Sequence, residues 1–176
     1  MILETVALAL AAAHFGIPLA YYWYAKTRWL PRPWNIKTDP SYRPKVTVII
    51  PTYNEASLIQ AKLDDVYRQD YPRDRLEVIV VDSASTDGTP ELVEEWSQEH
   101  PDLNLKLLRE PARRGKGHAL NYALKHIPRD VEVVVATDAD CTWPNPCALR
   151  KTLAWFADPT VGAVSCLKKP QAVGFG

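Results

Sequence analysis

Two aspartates, Asp138 and Asp140, follow a valine-rich run that is typical of a buried strand. Side chains two residues apart on an extended segment point the same way, so the two carboxylates are expected to lie together. Their mutual repulsion requires a nearby cation, and a hard divalent ion such as Mg²⁺ or Mn²⁺, shared with phosphate oxygens, suits such a pair. The alternative is a pair of solvated loop acids, which is common after a strand.

A third carboxylate, Asp82, ends the apolar run Leu76–Val81 and precedes the turn-forming residues Ser83–Gly88. One interpretation is that Asp82 caps this turn. The other is that it accepts hydrogen bonds from a ribose or a base edge at the end of the strand. The Asp87-Gly88 pair inside the turn indicates turn chemistry.

A basic loop, Arg113–Lys116, precedes a predicted helix. It is either a solvated loop or a group, Lys116 included, that meets a diphosphate at the helix N-terminus. The chain has no Walker-type phosphate loop and no dinucleotide fingerprint after its first strand, which argues against P-loop NTPases and classical dinucleotide oxidoreductases. A nucleotidyltransferase would need a glycine-rich loop there, and residues 51–55 contain no glycine. His118 and His126 are interpreted as surface residues.

The elements that must position these groups alternate between strand and helix. Apolar runs predict five strands, Val46–Ile50, Leu76–Val81, Leu103–Leu108, Val131–Ala136 and Val161–Cys166, of which the third is expected near an edge. Helical periodicity predicts four helices, Ser57–Gln69, Pro90–Glu99 after the N-cap Thr89, Gly117–Ile127, and Pro146–Phe156 after the cap Asn145. This alternation predicts an α/β fold with an open, mostly parallel, doubly wound, Rossmann-like sheet, whose ligands lie at the carboxyl ends of the strands.

The N-terminal segment predicts a membrane helix over residues 1–25. Residues 5–24 contain no Asp, Glu, Lys or Arg, four aromatic residues end the run, and Lys26 and Arg28 follow. That order is typical of a single-pass span whose C-terminal end faces the cytoplasm, which places the globular part on the cytoplasmic side of the cell membrane. A signal peptide is disfavoured because only Glu4 precedes the apolar run. A buried core helix, or an interfacial helix weakened by Pro18, is the other alternative.

Composition and charge narrow the function classes. Lys and Arg together number 21, as do Asp and Glu, so the chain lacks the basic surplus of a nucleic-acid-binding protein. Residues 26–44 form a basic, proline-rich juxtamembrane linker that could contact anionic lipid headgroups. The three cysteines lack metal-site spacing and are interpreted as reduced thiols.

Four motifs in register together resemble glycosyltransferase family 2. They are Val46–Glu55 (VTVIIPTYNE), Val80–Thr89 (VVDSASTDGT), the Gly115-Lys116-Gly117-x-Ala119-x-Asn121 sequence, and Asp138-Ala139-Asp140. The resemblance implies a GT-A fold and inverting transfer of a sugar from a nucleoside-diphosphate donor, UDP- or GDP-linked, with a divalent metal. It covers about residues 45–168.

The resemblance also implies roles for individual residues. Pro51, Tyr53 and Glu55 would line the nucleotide pocket, and Asp82 with Ser83 would meet the base and ribose. Asp138 and Asp140 would hold the metal on the diphosphate. Many relatives carry a second Asp where this chain has Ser83, whose hydroxyl can still bond a base edge.

The general base of such enzymes is expected after the strand that resembles Val161–Cys166, so the catalytic residue is not predicted here. Residues 45–176 are therefore expected to form the nucleotide-sugar-binding half of a GT-A domain, incomplete at the C-terminus. One hypothesis is a membrane-associated transferase that acts on a lipid-phosphate or glycan acceptor. The other is a non-catalytic nucleotide-sugar-binding module that needs a complementary C-terminal half.

Overall fold

The computed structural model describes residues 2–30 and 35–166. The chain divides into two compact units, Met1–Ile36 and Lys37–Gly176. The first unit contains the helix α1 (Ile2–Tyr24) and a π-helical turn (Ala25–Trp29). The second contains β1 (Val46–Thr52), α2 (Ile59–Tyr67), β2 (Leu76–Asp82), α3 (Thr89–Glu99), β3 (Asn104–Arg109), α4 (Lys116–Leu124), β4 (Val133–Ala136) and α5 (Ala148–Leu153), with 3₁₀ turns at Arg73–Arg75 and Ala154–Ala157.

The predicted N-terminal helix is confirmed as a helix. It runs through Pro18 without a break, and none of residues 2–24 is buried. With the π-helical turn, it is long and apolar enough to cross a membrane, a test that a signal sequence near an N-terminus also passes. Lys26 lies 5.7 and 5.9 Å from the ring centroids of Tyr22 and Trp23. Whether α1 crosses a membrane stays a prediction.

The second unit is built on a four-stranded sheet within the described residues, in the order β3-β2-β1-β4. All three strand pairs are parallel, and β3 lies at an edge as predicted. The chain winds outward from β1 to β3 and then returns to add β4 on the other side of β1. The point where the winding reverses therefore lies between β1 and β4, and ligands of open α/β sheets bind at the carboxyl ends of the strands at this point.

Helices cover both faces of the sheet, which confirms the doubly wound prediction. Side chains alternate between the faces along each strand. On one face, Val48, Ile50 and Val80 pack with residues of α2, α3 and α5. On the other face, Ile49 and Ile79 pack with two alanines of α4. The small alanine side chains bring the backbone of α4, and the loop before it, close to the sheet.

The predicted fifth strand is wrong. Residues 161–166 have no regular structure, and they do not pair with β4, whose outer edge carries no strand within the described residues. Gly162, Ala163 and Ser165 are exposed, because such small or polar side chains bury too little apolar surface to hold the segment on the sheet. Residues 167–176 of the predicted GT-A domain lie outside the described residues.

Several predicted ends also shift. The α3 helix begins at Thr89 with Gly88 as N-cap, so Thr89 is not the cap. The helix predicted from Pro146 begins at Ala148, and its last turn is a 3₁₀ turn. Asn145 is not the cap, because the N-cap of this helix is Cys147, whose N–H donates to the Asn145 side-chain oxygen at 3.0 Å.

The end of the predicted linker, from Lys37 onward, belongs to the second unit. The Lys37 N–H donates to Asp158 at 3.0 Å, and the Asp39 N–H donates to the Ala154 carbonyl at 3.1 Å. Residues 31–34 of the linker lie outside the described residues. The predicted boundaries at 25 and 44 remain predictions.

A candidate nucleotide and metal site

One cleft lies at the carboxyl ends of β1 and β4 and has a volume of about 290 Å³. It brings together seven of the eight residues that the sequence predicts for the site: Pro51, Tyr53, Glu55, Ser83, Lys116, Asp138 and Asp140. The eighth, Asp82, is 3% exposed at the end of β2 and is not among the lining residues. Seven of the predicted residues thus line one cleft, and the roles of all eight stay predictions.

Pro51 helps to open the cleft. The Ile49 carbonyl accepts a hydrogen bond from the Thr137 N–H, so the odd-numbered residues of β1 direct their backbone groups toward β4. Pairing with β4 ends at Ile49 and Ala136. Pro51 faces the same side two residues later and has no backbone N–H, so it cannot donate the next hydrogen bond toward β4. The two chains separate from this position onward.

The loops that follow β1 and β2 are braced against each other. The Asn54 N–H donates to Ser85 Oγ at 2.9 Å, and the Thr86 N–H donates to Asn54 Oδ1 at 2.9 Å. Asp87 accepts hydrogen bonds from the Ala56 and Thr89 N–H groups, as the prediction of turn chemistry requires. These bonds fix the backbone on which Tyr53 and Glu55 stand.

The acidic wall of the cleft lies on the loop after β4. Asp138, Asp140 and Cys141 each offer one ligand atom, and these atoms lie within 4.8 Å of one another. The Lys116 ammonium forms an ion pair with Asp138, so α4 supplies the cation that the repulsion between the aspartates demands. The two carboxylates fit a hard divalent ion such as Mg²⁺ or Mn²⁺, whereas the Cys141 thiol is a softer ligand that such ions do not prefer.

Glu55 faces this acidic wall from the loop after β1. Burial raises the pKa of the Glu55 carboxyl, and the negative charges of Asp140, Asp87 and Asp138 raise it further. The charged form of Glu55 is therefore disfavoured while no cation lies between the two walls.

Arg113 stacks on Tyr53 across the cleft. Its guanidinium carbon lies 3.9 Å from the centroid of the Tyr53 ring, which is the arrangement of a cation–π contact. The contact joins the basic loop before α4 to the end of β1. It places positive charge beside the same cavity that the aspartates line.

Asp82 lies at the end of β2 with unused bonding capacity. Its Oδ2 accepts a hydrogen bond from the Ser85 N–H at 3.1 Å, so the turn-capping interpretation is correct for that oxygen. Its Oδ1 is buried and has no hydrogen-bond partner among the described residues. A buried, unpaired carboxylate oxygen is costly, and a ligand N–H or hydroxyl would satisfy it.

A buried network behind Ser83 was not predicted. The Ser83 hydroxyl donates to Glu110 at 2.6 Å, Glu110 is 4% exposed, and His118 Nδ1 lies against its other carboxylate oxygen. His118 is exposed, as the surface interpretation expects, but it is also the partner of a buried acid. The available signal was that Glu110 follows β3, where parallel strands present side chains to the ligand edge.

The family is decided by a match across most of the second unit. The family model described as glycosyl transferase family 2 matches residues 47–174. The chain belongs to glycosyltransferase family 2. The four motifs that carried the resemblance all lie within or at the border of this match, and the parallel sheet with helices on both faces is the GT-A-like fold expected from it.

Solved structures of glycosyltransferases share this fold. A mannosyltransferase from Pyrobaculum calidifontis, in complex with GDP-Man and Mn²⁺, is 62% identical and superimposes with a TM-score of 0.84, over 97% of this chain and 48% of that one. The 1–349 fragment of TarS from S. aureus, in complex with UDP-GlcNAc, is 36% identical with a TM-score of 0.56, over 62% of this chain and 30% of that one.

Two curated proteins are also similar to this chain. A beta-monoglucosyldiacylglycerol synthase from Synechocystis sp. is 35% identical over 134 residues, which are 75% of this chain and 27% of that protein. The probable glycosyltransferase YdaM from Bacillus subtilis is 35% identical over 122 residues, which are 69% of this chain and 29% of that protein. The chain therefore spans between about a quarter and a half of the length of these glycosyltransferases.

Proposed function

We propose that this chain forms the donor-binding part of a membrane-associated, inverting glycosyltransferase that takes a nucleoside-diphosphate sugar with Mg²⁺ or Mn²⁺. The observation that carries the proposal is the shared cleft, in which Asp138, Asp140 and Lys116 face Tyr53 and Glu55. Positive and negative groups meet there at the point where the winding of the sheet reverses. The proposed acceptor is a lipid phosphate or a membrane-proximal glycan, because α1 would keep the cleft near a bilayer.

Different cleft residues would bind different parts of a nucleotide sugar. Asp138 and Asp140 would hold the cation, which supplies positive charge to the leaving diphosphate. Lys116, at the start of α4, and Arg113, in the loop before it, would contact phosphate oxygens, which bind favourably at helix N-termini. The unpaired Asp82 Oδ1 and the Ser83 hydroxyl would receive the base and ribose.

The donor is proposed to be GDP-linked before UDP-linked. Support comes from the Pyrobaculum mannosyltransferase, whose structure at 62% identity holds GDP-Man, whereas the TarS fragment that holds UDP-GlcNAc is 36% identical. Calorimetric titration of the full chain in detergent with GDP-mannose and UDP-GlcNAc, each with Mn²⁺ and with EDTA, compares the two directly.

The decisive variant is Asp140→Ala. We expect Mn²⁺-dependent GDP-mannose binding to weaken at least tenfold, because one of the two carboxylate ligands is lost. Asp130→Ala is the matched control, since it removes a carboxylate that pairs with Lys45 before β4 begins, at the opposite end of that strand. The proposal is wrong if wild type binds neither nucleotide sugar, or if both variants lose binding equally.

A second candidate is donor binding without transfer by this chain alone. It is favoured by coverage, since the chain spans 48% of the mannosyltransferase and 27% of the Synechocystis synthase. A transfer assay with radiolabelled GDP-mannose and polyprenyl phosphate separates the two candidates. Product formed by the chain alone supports the transferase. The module is supported if this chain alone binds the donor without forming product, and if product forms once a separate C-terminal half is added.

A further inference from the structure

Helix α2 buries polar side chains where an amphipathic helix would bury apolar ones. Ile59, Leu63 and Val66 pack in the core as expected, but Lys62 and Asp65 are 2% and 0% exposed. Gln69, in the turn after the helix, is 4% exposed. Burying two charges costs several kcal/mol unless hydrogen bonds compensate, so such residues are weak contributors to stability and need specific partners.

Their partners lie on the loop that follows the aspartate pair. The Lys62 ammonium donates to the Cys141 carbonyl at 2.6 Å and lies 4.5 Å from the centroid of the Trp143 ring. Asp65 accepts a hydrogen bond from the Trp143 N–H at 2.8 Å and lies 3.4 Å from the Lys62 ammonium. The two buried charges thus face each other, Asp65 also pairs with Arg68 at 3.0 Å, and each buried charge binds the loop backbone.

Gln69 extends the same arrangement to the start of α5. Its side-chain oxygen accepts a hydrogen bond from the Leu149 N–H at 3.0 Å, and its amide donates to the Asn145 carbonyl at 3.2 Å. The Asp70 N–H adds a bond to the Pro146 carbonyl at 2.8 Å. All of these bonds reach backbone groups, so they fix the path of the loop whatever its side chains are.

The loop needs such support because the sheet does not extend to it. Pairing of β4 ends at Ala136, with one further bond from the Thr137 N–H to β1, and α5 begins only at Ala148. Asp138 and Asp140 therefore stand on an irregular segment. Its course after Asp140 is held by Lys62, Asp65 and Gln69.

We infer that Lys62, Asp65 and Gln69 are positioning residues for the Asp138–Asp140 pair. They hold residues 141–149 so that both carboxylates face one cation. The inference rests on the proposed function of the cleft. It adds three residues of α2 and its following turn, none of which lines the cleft.

The test is Lys62→Met in the full chain, with Mn²⁺ affinity measured by electron paramagnetic resonance at saturating GDP. Loss of a positive charge near the site would by Coulomb's law strengthen cation binding. Positioning predicts the opposite, a weakening of about tenfold or more, as for other residues that orient metal ligands. GDP affinity in EDTA is expected to stay within about twofold, because Asp82 and Ser83 stand on β2 and its end.

Thr47→Val is the matched control for a lost buried hydrogen bond. Thr47 is fully buried and donates to Glu77 at 2.9 Å near the start of β1, at the opposite end of the sheet. The Thr47→Val variant is expected to lower the unfolding free energy by about 1 kcal/mol and to leave Mn²⁺ affinity unchanged. If Lys62→Met does not fold, Gln69→Met replaces it, because this variant introduces no buried charge imbalance. Its Mn²⁺ affinity is expected to be at least threefold weaker than that of wild type.

Hydrogen exchange of residues 138–149 in the metal-free protein provides a readout independent of metal and nucleotide. Exchange there is expected to accelerate in Lys62→Met and Gln69→Met but not in Thr47→Val. Unchanged exchange in both variants, or Mn²⁺ affinity equal to or above wild type, overturns the inference. If wild type binds neither Mn²⁺ nor GDP, the proposed function fails instead, and exchange still decides whether these residues hold the loop.

Discussion

At the scale of single residues, the cleft is an arrangement of opposed charges whose balance depends on what it binds. Asp138 is paired with Lys116, whereas Glu55 faces carboxylates and carries a raised pKa. A bound cation would take over the role of Lys116 toward Asp138 and would relieve the repulsion on Glu55. Both effects are measurable one residue at a time.

Lys116→Met should change metal and nucleotide binding in opposite directions. Without nucleotide, Mn²⁺ affinity should rise about two- to fivefold, because the ammonium no longer competes for Asp138, and exposed ion pairs of this kind contribute about 1 kcal/mol or less. GDP affinity should fall about tenfold, because a charged donor to phosphate is lost.

Calorimetric titration of each ligand alone measures both effects of Lys116→Met. Lys125→Met, which removes the same charge just after the end of α4, should change neither affinity more than about twofold. Weaker Mn²⁺ binding by Lys116→Met would show that the lysine does not compete with the cation.

Glu55→Gln should stabilise the metal-free protein at neutral pH, by up to about 0.5 kcal/mol. Because the folded pKa is raised above the unfolded value of about 4.3, the protonated carboxyl favours folding at low pH, and that contribution is lost as the pH rises through the folded pKa. The glutamine does not titrate, so its advantage should vanish near pH 4.

Thermal unfolding from pH 4 to pH 8 in EDTA measures this difference. Glu95→Gln, an exposed position on α3, should follow wild type across the range. An advantage of Glu55→Gln that persists at pH 4 would contradict the electrostatic explanation. Mn²⁺ should reduce the advantage at pH 7, since a cation beside Glu55 favours its charged form.

At the scale of elements, the sequence predicted those strands that depend mainly on their own residue pattern. The strand Val46–Thr52 was predictable because an unbroken β-branched run suits a strand covered on both faces, and the carboxyl ends then follow from the parallel order. Val161–Cys166 has only two valines among small and polar residues, and within the described residues no strand lies beside it to pair with. The strand prediction failed there for that reason.

The candidate site was predictable for residues that directly follow a strand, but not for residues that are buried by long-range contacts. Residues that follow a strand reach the cleft by topology alone, which is why Tyr53, Ser83 and Asp140 share it. Lys62 was not predictable as a buried residue, because a polar position beside an apolar stripe ordinarily faces water. Only the fold of residues 141–149 over α2 buries it, and contacts between segments about 80 residues apart leave no periodic signal.

At the scale of the whole molecule, α1 carries its apolar surface outward. Leu8 and Phe15 are among its exposed large side chains, at 73% and 72%. Helix α1 spans 23 residues, or roughly 35 Å at 1.5 Å per residue, which is enough to cross a bilayer. This exposed apolar surface is the observation that supports membrane association in the proposed function.

Alkaline carbonate extraction of membranes that contain the full chain tests this arrangement. The wild-type chain should stay in the membrane pellet. Leu8→Asp with Phe15→Asp should move most of it to the supernatant, because an acid at the centre of a span costs about 3 kcal/mol. Leu124→Asp, at an exposed apolar position of α4 in the second unit, should stay in the pellet like wild type. Release of wild type would remove the membrane from the proposed function and leave nucleotide-sugar binding untouched, because the cleft is built from residues 51–140 alone.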